Sequence, residues 1–289
     1  MHFDKENAMA RNNVHLVIID PQNDFMDIPG ATLSVPGANA DMQRLANLID
    51  RIGRKLADIH VTLDSHRVID VGHPGFWRNG DGNSPVPFTM ISADDIANRI
   101  WFPRNPNPKI YKRMLDYAQK LATSGKYLLM VWPEHCLIGT PGHNVQKDLM
   151  QSLINWERIK LANIDYVVKG TNPYTEHYGA LMAEVADPEE PSTSLNIDFL
   201  EILKKSDTIV VAGEASSHCV KSTIEQIAEN IGSEHVKKFV LLTDCMSPVS
   251  AVLDTNGNVL VDFPAIASQF MKDMEALGMQ LSTSDKFLA

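Results

Sequence analysis

The chain has 289 residues, 44% of them hydrophobic and 21% charged, which is enough to bury a sizeable core. Its net charge is −10 and it has no basic cluster, which argues against a nucleic-acid partner. No apolar run approaches the roughly 20 residues of a transmembrane helix, and residues 1–13 lack the apolar segment of a signal peptide. Three cysteines do not resemble a disulfide framework, so we expect a cytoplasmic protein without a membrane partner.

Short apolar runs that end in polar residues recur along the chain and predict buried strands. These runs are residues 15–20, 59–63, 127–131, 165–168, 208–212 and 239–244, with residues 280–282 as a short edge strand. Helical periodicity predicts helices at residues 36–57, 111–122, 145–156, 197–205, 220–231 and 266–277. This alternation predicts an α/β protein with three α/β/α layers and a mostly parallel six-stranded sheet.

Two stretches depart from this alternation. Residues 74–108 are rich in Pro, Gly and Asn, and a connection of this length within a compact domain is typical of a functional loop or an insertion. We interpret residues 74–125 as an ordered insertion, with a short helix near residues 93–100, in a single domain that spans residues 1–289. Asn256-Gly257, between two short apolar runs, predicts a hairpin with a two-residue turn.

Polar residues that could take part in catalysis or ligand binding follow five of the predicted strands. Because ligands of parallel α/β sheets bind outside the carboxyl ends of the strands, we expect these residues to meet in one crevice. They are Asp20, Asp64 with His66, His135, Lys169 and Cys219.

Cys219 follows the apolar run 208–212 and a stretch of small residues, and it stands at the start of a predicted helix. The field of a helix N-terminus favours a thiolate, so Cys219 is a candidate nucleophile. An inert buried cysteine is the alternative, and it is our interpretation of Cys136 and Cys245. In acyl transfer, the backbone N–H groups of Ala215 and Cys219 could form the oxyanion hole.

Asp20 and Lys169 complete a possible catalytic set. A carboxylate close to the cysteine could take the thiol proton and return it to a leaving amine, while an ammonium stabilises the carboxylate. The alternative for Asp20 is a helix N-cap or a structural salt bridge with Lys169, without a catalytic role.

Two imidazoles and a carboxylate form a second possible group. Asp64, His66 and His135 suit a borderline divalent ion, most readily Zn²⁺ with Fe²⁺ or Mn²⁺ as alternatives, and His73 is a further candidate ligand. Phe25 and Trp132 follow strand ends and could stack on a flat aromatic substrate, although ordinary core packing also explains them.

Taken together, these motifs resemble the isochorismatase-like cysteine hydrolases, and among them the nicotinamidases. The first-strand motif is Ile-Ile-Asp-Pro-Gln-Asn-Asp-Phe at 18–25, the lysine motif is Val-Lys-Gly at 168–170, and the nucleophile motif spans residues 213–220. Asp-Ser-His at 64–66 and Trp-Pro-Glu-His-Cys at 132–136 are similar to the nicotinamidase metal motifs.

The resemblance implies an amidase that converts nicotinamide, or a close pyridine carboxamide, to the acid and ammonia through a thioester on Cys219. It also implies a metal that anchors the substrate through its ring nitrogen, a cis peptide at Glu214-Ala215 and a small-molecule amide as the partner; we also expect a homo-oligomer. Ser217 departs from the family, which often has an acidic residue there, and the insertion separates the metal motifs more than in compact members. The alternatives are a cysteine hydrolase of another amide, a non-catalytic binding module, and a metal-hydroxide hydrolase in which Cys219 has no role.

Overall fold

A computed structural model describes residues 13–124, 128–254 and 256–289. The strands within these ranges are β1 (Val14–Ile19), β2 (Leu56–Asp64), β3 (Trp77–Arg78), β4 (Met90–Ile91), β5 (Phe102–Pro103), β6 (Leu129–Met130), β7 (Asp165–Lys169), β8 (Thr208–Gly213), β9 (Phe239–Leu242), β10 (Val252–Leu253), β11 (Val259–Val261) and β12 (Gln280–Ser282).

The α-helices lie mostly between the strands of the main sheet. They are α1 (Ala38–Ile52), α2 (Ala93–Ala97), α3 (Pro108–Ser124), α4 (Lys147–Lys160), α5 (Ile197–Lys204), α6 (Cys219–Asn230), α7 (Ser233–Val236) and α8 (Phe263–Ala276). None of the helices in the described ranges is both long and apolar enough to cross a bilayer.

Six strands form the main sheet in the order β12-β9-β8-β1-β2-β7, and all neighbouring pairs are parallel. The central strands β1 and β8 are mostly apolar and buried, as expected for strands with helices on both faces. One face packs against α1 and α4, and the other packs against α5, α6 and α8. The predicted three-layer α/β/α fold with a six-stranded sheet is therefore confirmed.

The predicted third strand was wrong in extent and in place. Tyr127 lies outside the described residues, and the regular part, β6, is only Leu129–Met130. It pairs antiparallel with β4 instead of joining the main sheet. The sixth position in the sheet belongs to β12, which pairs parallel with β9. A short apolar run predicts a buried strand but does not identify its partner, and here the partner lies in the insertion.

The described part of the insertion, residues 74–124, forms a hydrophobic cluster together with flanking residues such as Leu129. Trp77, Ile96 and Met114 are buried within it, and α3 supplies one wall. The helices at Ala93–Ala97 and Pro108–Ser124 agree with the two helices predicted in this stretch. A capping box at Ser92 and Asp95 explains why the first helix begins where it does.

The hairpin formed by β10 and β11 has a longer loop than the predicted two-residue turn. The carboxylate of Asp254 accepts hydrogen bonds from the backbone N–H groups of Asn256 and Asn258, which stabilises the wider loop. The absence of a signal peptide was predicted from residues 1–13, and residues 1–12 lie outside the described residues.

Candidate active site

Four of the predicted site residues meet at the carboxyl edge of the main sheet. Asp20 directly follows β1, Asp64 and Lys169 are the last residues of β2 and β7, and Cys219 begins α6 after β8. These strands are consecutive neighbours in the order β8-β1-β2-β7, so the sheet itself brings the four side chains together. All four are buried.

Lys169 lies at the centre of this group. Its Nζ is 2.9 Å from Oδ2 of Asp20, 2.9 Å from Oδ1 of Asp64 and 3.6 Å from Sγ of Cys219. Nζ also donates a hydrogen bond of 3.0 Å to the carbonyl of His177. A buried ammonium with two carboxylates within 3 Å is compensated in charge and orients both of them.

Asp20 is held in place by a threonine on the neighbouring strand. The hydroxyl of Thr62 donates to Oδ1 of Asp20 at 2.5 Å and accepts the backbone N–H of Asp20 at 3.0 Å. The backbone of Asp20 is left-handed, with φ of 44°, which turns the chain out of β1. This turn leaves Oδ2 of Asp20 facing Lys169.

The helix position of Cys219 predicted a thiolate, but the buried site favours the protonated thiol. Burial raises the pKa of the Cys219 thiol well above its usual range, and the nearby Lys169 only partly offsets this effect. Burial opposes the charge of Lys169, yet Asp20 and Asp64 raise its pKa well above the ordinary value. Burial also raises the pKa of Asp20. The resting site therefore combines a neutral thiol with a charged ammonium, and the thiol needs a base.

The loop before Cys219 contains a cis peptide between Glu214 and Ala215, as the resemblance implied. The carbonyl of Ala215 accepts the backbone N–H groups of His218 and Val220 at 2.9 and 3.1 Å, which closes a tight turn. Within the described residues, the N–H groups of Ala215 and Cys219 donate to no other backbone group. Both donors are thus available to an oxyanion beside Sγ.

Ser217 has a structural role in this loop. Its hydroxyl accepts the backbone N–H of Val249 at 3.1 Å and lies 2.9 Å from Nδ1 of His218. These contacts connect the nucleophile loop to the chain that leads from β9 into the hairpin. A small hydroxyl fills the position where an acidic side chain is frequent in the nicotinamidases that the motifs resemble.

The predicted metal ligands form a compact buried trio beside Lys169. The ligand atoms of Asp64, His66 and His135 all lie within 4.8 Å of one another. Oδ2 of Asp64 is 3.0 Å from Nε2 of His66 and 3.4 Å from Nε2 of His135. These separations are close to the roughly 3.3 Å between ligand atoms that zinc bonds of about 2.0–2.1 Å require. The trio therefore fits a divalent ion.

The Nδ1 atoms of the two imidazoles, which face away from Asp64, differ in their contacts. Nδ1 of His66 lies 3.2 Å from Oδ2 of Asp70, an ion-pair contact whose geometry is not that of a hydrogen bond, whereas Nδ1 of His135 lies 2.8 Å from the carbonyl of Pro133 and is hydrogen-bonded to it. These contacts direct the free lone pair of each ring towards Asp64. Asp70 was not recognised in the sequence, although its position four residues after His66 could have indicated it.

His73 lies beside the trio rather than within it. Its Nε2 is 3.2 Å from Nδ1 of His135, the nitrogen that does not face Asp64. Nδ1 of His73 lies 3.0 Å from the carbonyl of Arg67, so Nε2 is the acceptor. Burial and the neighbouring His135 and His66 lower the pKa of His73 to about 3, which keeps it neutral. In this geometry His73 orients His135.

His135 reaches the site from a loop and not from a strand of the main sheet. The loop is fastened by two short hydrogen bonds, from Trp132 N–H to the carbonyl of Gly72 and from Cys136 N–H to Oδ2 of Asp24, both 2.7 Å. The sequence therefore predicted the location of His135 correctly but gave the wrong structural reason for it.

A pocket opens between Cys219 and the trio, and aromatic side chains line much of it. Phe25 and Trp132 are both buried at its wall, and the ring of Phe25 lies 5.6 Å from that of His135. Nε1 of Trp132 donates to the hydroxyl of Tyr178 at 3.0 Å. From the insertion, the ring of Phe88 contacts Trp132 at 5.9 Å.

Glu176 is the main pocket residue that sequence reasoning missed. It is 4% exposed, and its Oε1 has no hydrogen-bond partner among the described residues. Burial raises the pKa of Glu176 to about 8, so the carboxyl is neutral at pH 7. The residue lies in an irregular polar segment before α5, and neither periodicity nor a strand end indicated it. Its backbone N–H donates to the hydroxyl of Tyr117 in the insertion.

Comparison with known proteins supports the fold. No family model matches the sequence, and no curated protein matches it. The structure of yeast nicotinamidase is similar with a TM-score of 0.58 at 20% identity, covering 93% of this chain and 98% of that chain. A zinc-bound pyrazinamidase from Pyrococcus horikoshii gives 0.53 at 18% identity, with 94% and 99% covered. An isochorismatase family protein from Desulfovibrio vulgaris gives 0.50 at 18% identity, with 96% of both chains covered. This chain therefore has the isochorismatase-like fold that nicotinamidase structures also have.

Proposed function

We propose that the protein is a metal-dependent cysteine amidohydrolase that converts nicotinamide, or a close pyridine carboxamide, to the acid and ammonia. The observation that supports this most directly is the position of Lys169, whose Nζ lies within 3.6 Å of Cys219, Asp20 and Asp64. A possible nucleophile, a base and a metal-ligating carboxylate thus share one ammonium at the floor of an aromatic pocket.

In this proposal, Asp20 acts as the general base. The raised pKa of Cys219 means that the thiol must lose its proton during attack, and the raised pKa of Asp20 makes that carboxylate a stronger base than usual. Sγ of Cys219 attacks the carboxamide carbon as the proton passes to Asp20. Asp20 then gives the proton to the leaving nitrogen, ammonia departs, and a thioester remains on Cys219. Water then attacks the thioester carbon as it gives a proton to Asp20, the C–S bond breaks, and Asp20 returns the proton to Sγ of Cys219 while the acid is released.

The oxyanion of each tetrahedral intermediate is stabilised by the N–H groups of Ala215 and Cys219. These donors belong to the turn that the Ala215 carbonyl closes, so they are oriented before substrate binds. Such donors typically contribute about 100- to 1000-fold in rate.

Asp64, His66 and His135 would hold a divalent ion, with zinc favoured and iron or manganese as alternatives. When bound, the ion supplies a Lewis-acid contact that anchors the ring nitrogen of the substrate. Asp70 and His73 keep the two imidazoles in the orientation that presents Nε2 to the ion.

Phe25 and Trp132 bind the two sides of the substrate ring in this proposal. The hydrogen bond from Trp132 to Tyr178 fixes the indole, and the contact with Phe88 supports it from the insertion. The insertion thus shapes one wall of the pocket. Because Glu176 adds a buried carboxyl to this wall, hydrolysis of another small amide with a polar substituent is the second candidate.

We further propose a reducing compartment such as the cytoplasm, and a homo-oligomeric assembly. All three cysteines are free, which is compatible with the reducing compartment.

The test is ammonia release from a panel of carboxamides by the zinc-loaded protein. We expect turnover of nicotinamide at millimolar concentration or below, no turnover by Cys219→Ala, and near-normal turnover by Cys245→Ala, which changes a buried cysteine outside the pocket. Turnover of other amides but not of nicotinamide would support the second candidate. Alkylation of Cys219 without loss of activity would contradict a thioester on this residue.

A further inference from the structure

A second group of possible metal ligands lies at the opposite end of the main sheet. His15 is the second residue of β1, and Asp58 and His60 are the third and fifth residues of β2. At about 3.3 Å per residue, they are roughly 13–20 Å along their strands from Asp64 and Asp20. The ligand atoms of His15, Asp58 and His60 all lie within 4.8 Å of one another.

Strand register explains how the three side chains meet. His15 pairs with Asp58 across the sheet, after an irregularity that shifts the register between Val14 and His15. His60 is two residues beyond Asp58 on β2, so both point to the same face. Helix α5 covers this face, and the ring of Phe199 from α5 packs edge-on against His60 at 5.3 Å.

The two imidazoles face each other nitrogen to nitrogen. Nδ1 of His15 lies 2.9 Å from Nε2 of His60, and the planes of the two rings differ by only 26°. Both residues are buried, with exposures of 6% and 1%. A normal hydrogen bond between two neutral imidazoles needs one of these nitrogens to carry a proton.

The outer nitrogens are those that point away from the other ring, Nδ1 of His60 and Nε2 of His15. Their contacts oppose such a hydrogen bond. Nδ1 of His60 lies 2.7 Å from Oδ2 of Asp165, which can only accept when ionised, so Nδ1 carries the proton of a neutral His60. Nε2 of His15 lies 3.2 Å from Oδ1 of Asn13, and the amide of Asn13 is oriented by its donation from Nδ2 to the carbonyl of Lys205. Nε2 of His15 is therefore a donor as well.

Because both outer nitrogens are donors, the two inner nitrogens, Nδ1 of His15 and Nε2 of His60, present lone pairs to each other. A cation between the rings removes the conflict, and the half-buried carboxylate of Asp58 can supply the third ligand. Imidazole rings whose outer N–H groups donate to a carboxylate and to an amide oxygen are oriented as metal ligands usually are.

We propose that His15, Asp58 and His60 form a second divalent-metal site, of a kind suited to zinc, which is separate from the candidate active site. Two nitrogens and one carboxylate oxygen match the ligand preference of zinc, and solvent can complete the coordination beside the partly exposed Asp58. The inner nitrogens need to separate by only about 0.4 Å to reach the roughly 3.3 Å typical of tetrahedral zinc. The ion would cross-link β1 to β2 and stabilise the end of the sheet that lies away from the pocket.

The test is zinc content, measured by mass spectrometry after equilibrium dialysis of the full chain. We expect two ions per chain in the wild type, one in His66→Asn, one in Asp58→Asn and none in the double variant. Asp50→Asn, which changes an exposed carboxylate on α1, is the matched control and should retain two. The active site could prove to bind no metal. The wild type would then hold one ion, and this site would be supported if His66→Asn retains that ion and Asp58→Asn loses it.

A second measurement avoids dependence on how well Asp58→Asn folds. Zinc should raise the unfolding temperature of His66→Asn by several degrees and leave that of His66→Asn/His60→Gln unchanged. Zinc content that is insensitive to both Asp58→Asn and His60→Gln would overturn the proposal. So would a proton shared between His15 and His60, seen by ¹⁵N-detected NMR, that persists in excess zinc.

Discussion

Lys169 and Asp64 are register partners at the ends of β7 and β2, and Nζ of Lys169 lies 2.9 Å from Oδ1 of Asp64. The other oxygen of the same carboxylate faces His66 and His135. One side chain therefore joins the cysteine group to the candidate metal trio. Although burial opposes its charge, His66 and Lys169 hold the pKa of Asp64 well below its usual range, so it is ionised.

This shared carboxylate predicts that two metal-ligand variants will differ. Asp64→Asn removes a ligand and also weakens a partner of Lys169, whereas His66→Asn removes a ligand and leaves the Lys169–Asp64 pair intact. We expect zinc affinity to fall at least about 100-fold in both. At saturating zinc, kcat should recover further in His66→Asn than in Asp64→Asn. Equal recovery would mean that Asp64 acts only through the metal.

Replacing Lys169 tests how much its buried charge contributes to stability and to kcat. Lys169→Met leaves Asp20 and Asp64 buried without their cation, and breaking such a group typically costs about 3–5 kcal/mol of unfolding free energy. We also expect kcat to fall at least about 100-fold, because Asp20 loses the group that orients it. Urea unfolding and steady-state kinetics measure the two effects.

The matched control is Lys221→Met on α6. Lys221 forms a partly exposed ion pair with Glu225 at 2.8 Å, four residues along the helix. Such pairs contribute about 0.3–0.5 kcal/mol, so stability and kcat should remain close to the wild type. Similar losses in Lys221→Met and Lys169→Met would show that the buried position has no special importance.

The sequence predicted the positions of Asp20, Lys169 and Cys219 because parallel strands end at a common edge, so three strand ends converge whatever the loops do. It did not predict Glu176, which lies in an irregular segment whose path depends on packing against the insertion. The neutral thiol of Cys219 was also unpredictable, because the raised pKa comes from burial and not from the helix position. Likewise, the run at 127–131 indicated a strand without indicating that β4 is its partner.

The pKa of Glu176 predicts a specific dependence of stability on pH. The unfolded chain releases this proton near pH 4.3, whereas the folded protein holds it until about pH 8. The wild-type free energy of unfolding should therefore decline relative to Glu176→Gln between about pH 4.5 and 8, by about 5 kcal/mol in total. Above pH 8 the difference should become constant.

This comparison requires EDTA-treated protein, so that bound metal does not change the field at the carboxyl. Urea unfolding at pH 5, 6.5 and 8 measures the difference, and Glu275→Gln, on the exposed side of α8, is the control and should match the wild type at each pH. A constant difference between Glu176→Gln and the wild type across this range would contradict the raised pKa.

Gly213 allows β8, which leads into the nucleophile loop, to lie close to β1, which leads into Asp20. Replacing it tests whether this close approach is required. Its φ is 123°, and a Cβ there would lie 2.0 Å from the backbone oxygen of Ile19 on β1. Because that neighbour is backbone, Gly213→Ala must push β8 away from β1, and we expect a loss of more than about 4 kcal/mol of unfolding free energy. Gly30→Ala is the control, since φ is 91° but no atom lies within 4 Å of the added Cβ. It should cost only the roughly 1–2 kcal/mol of a left-handed alanine and leave kcat unchanged.

If Gly213→Ala folds at low temperature, its kcat should still fall, because the same displacement separates Asp20 from Cys219. A folded Gly213→Ala with normal kcat would show that the spacing of these two strands does not control the site.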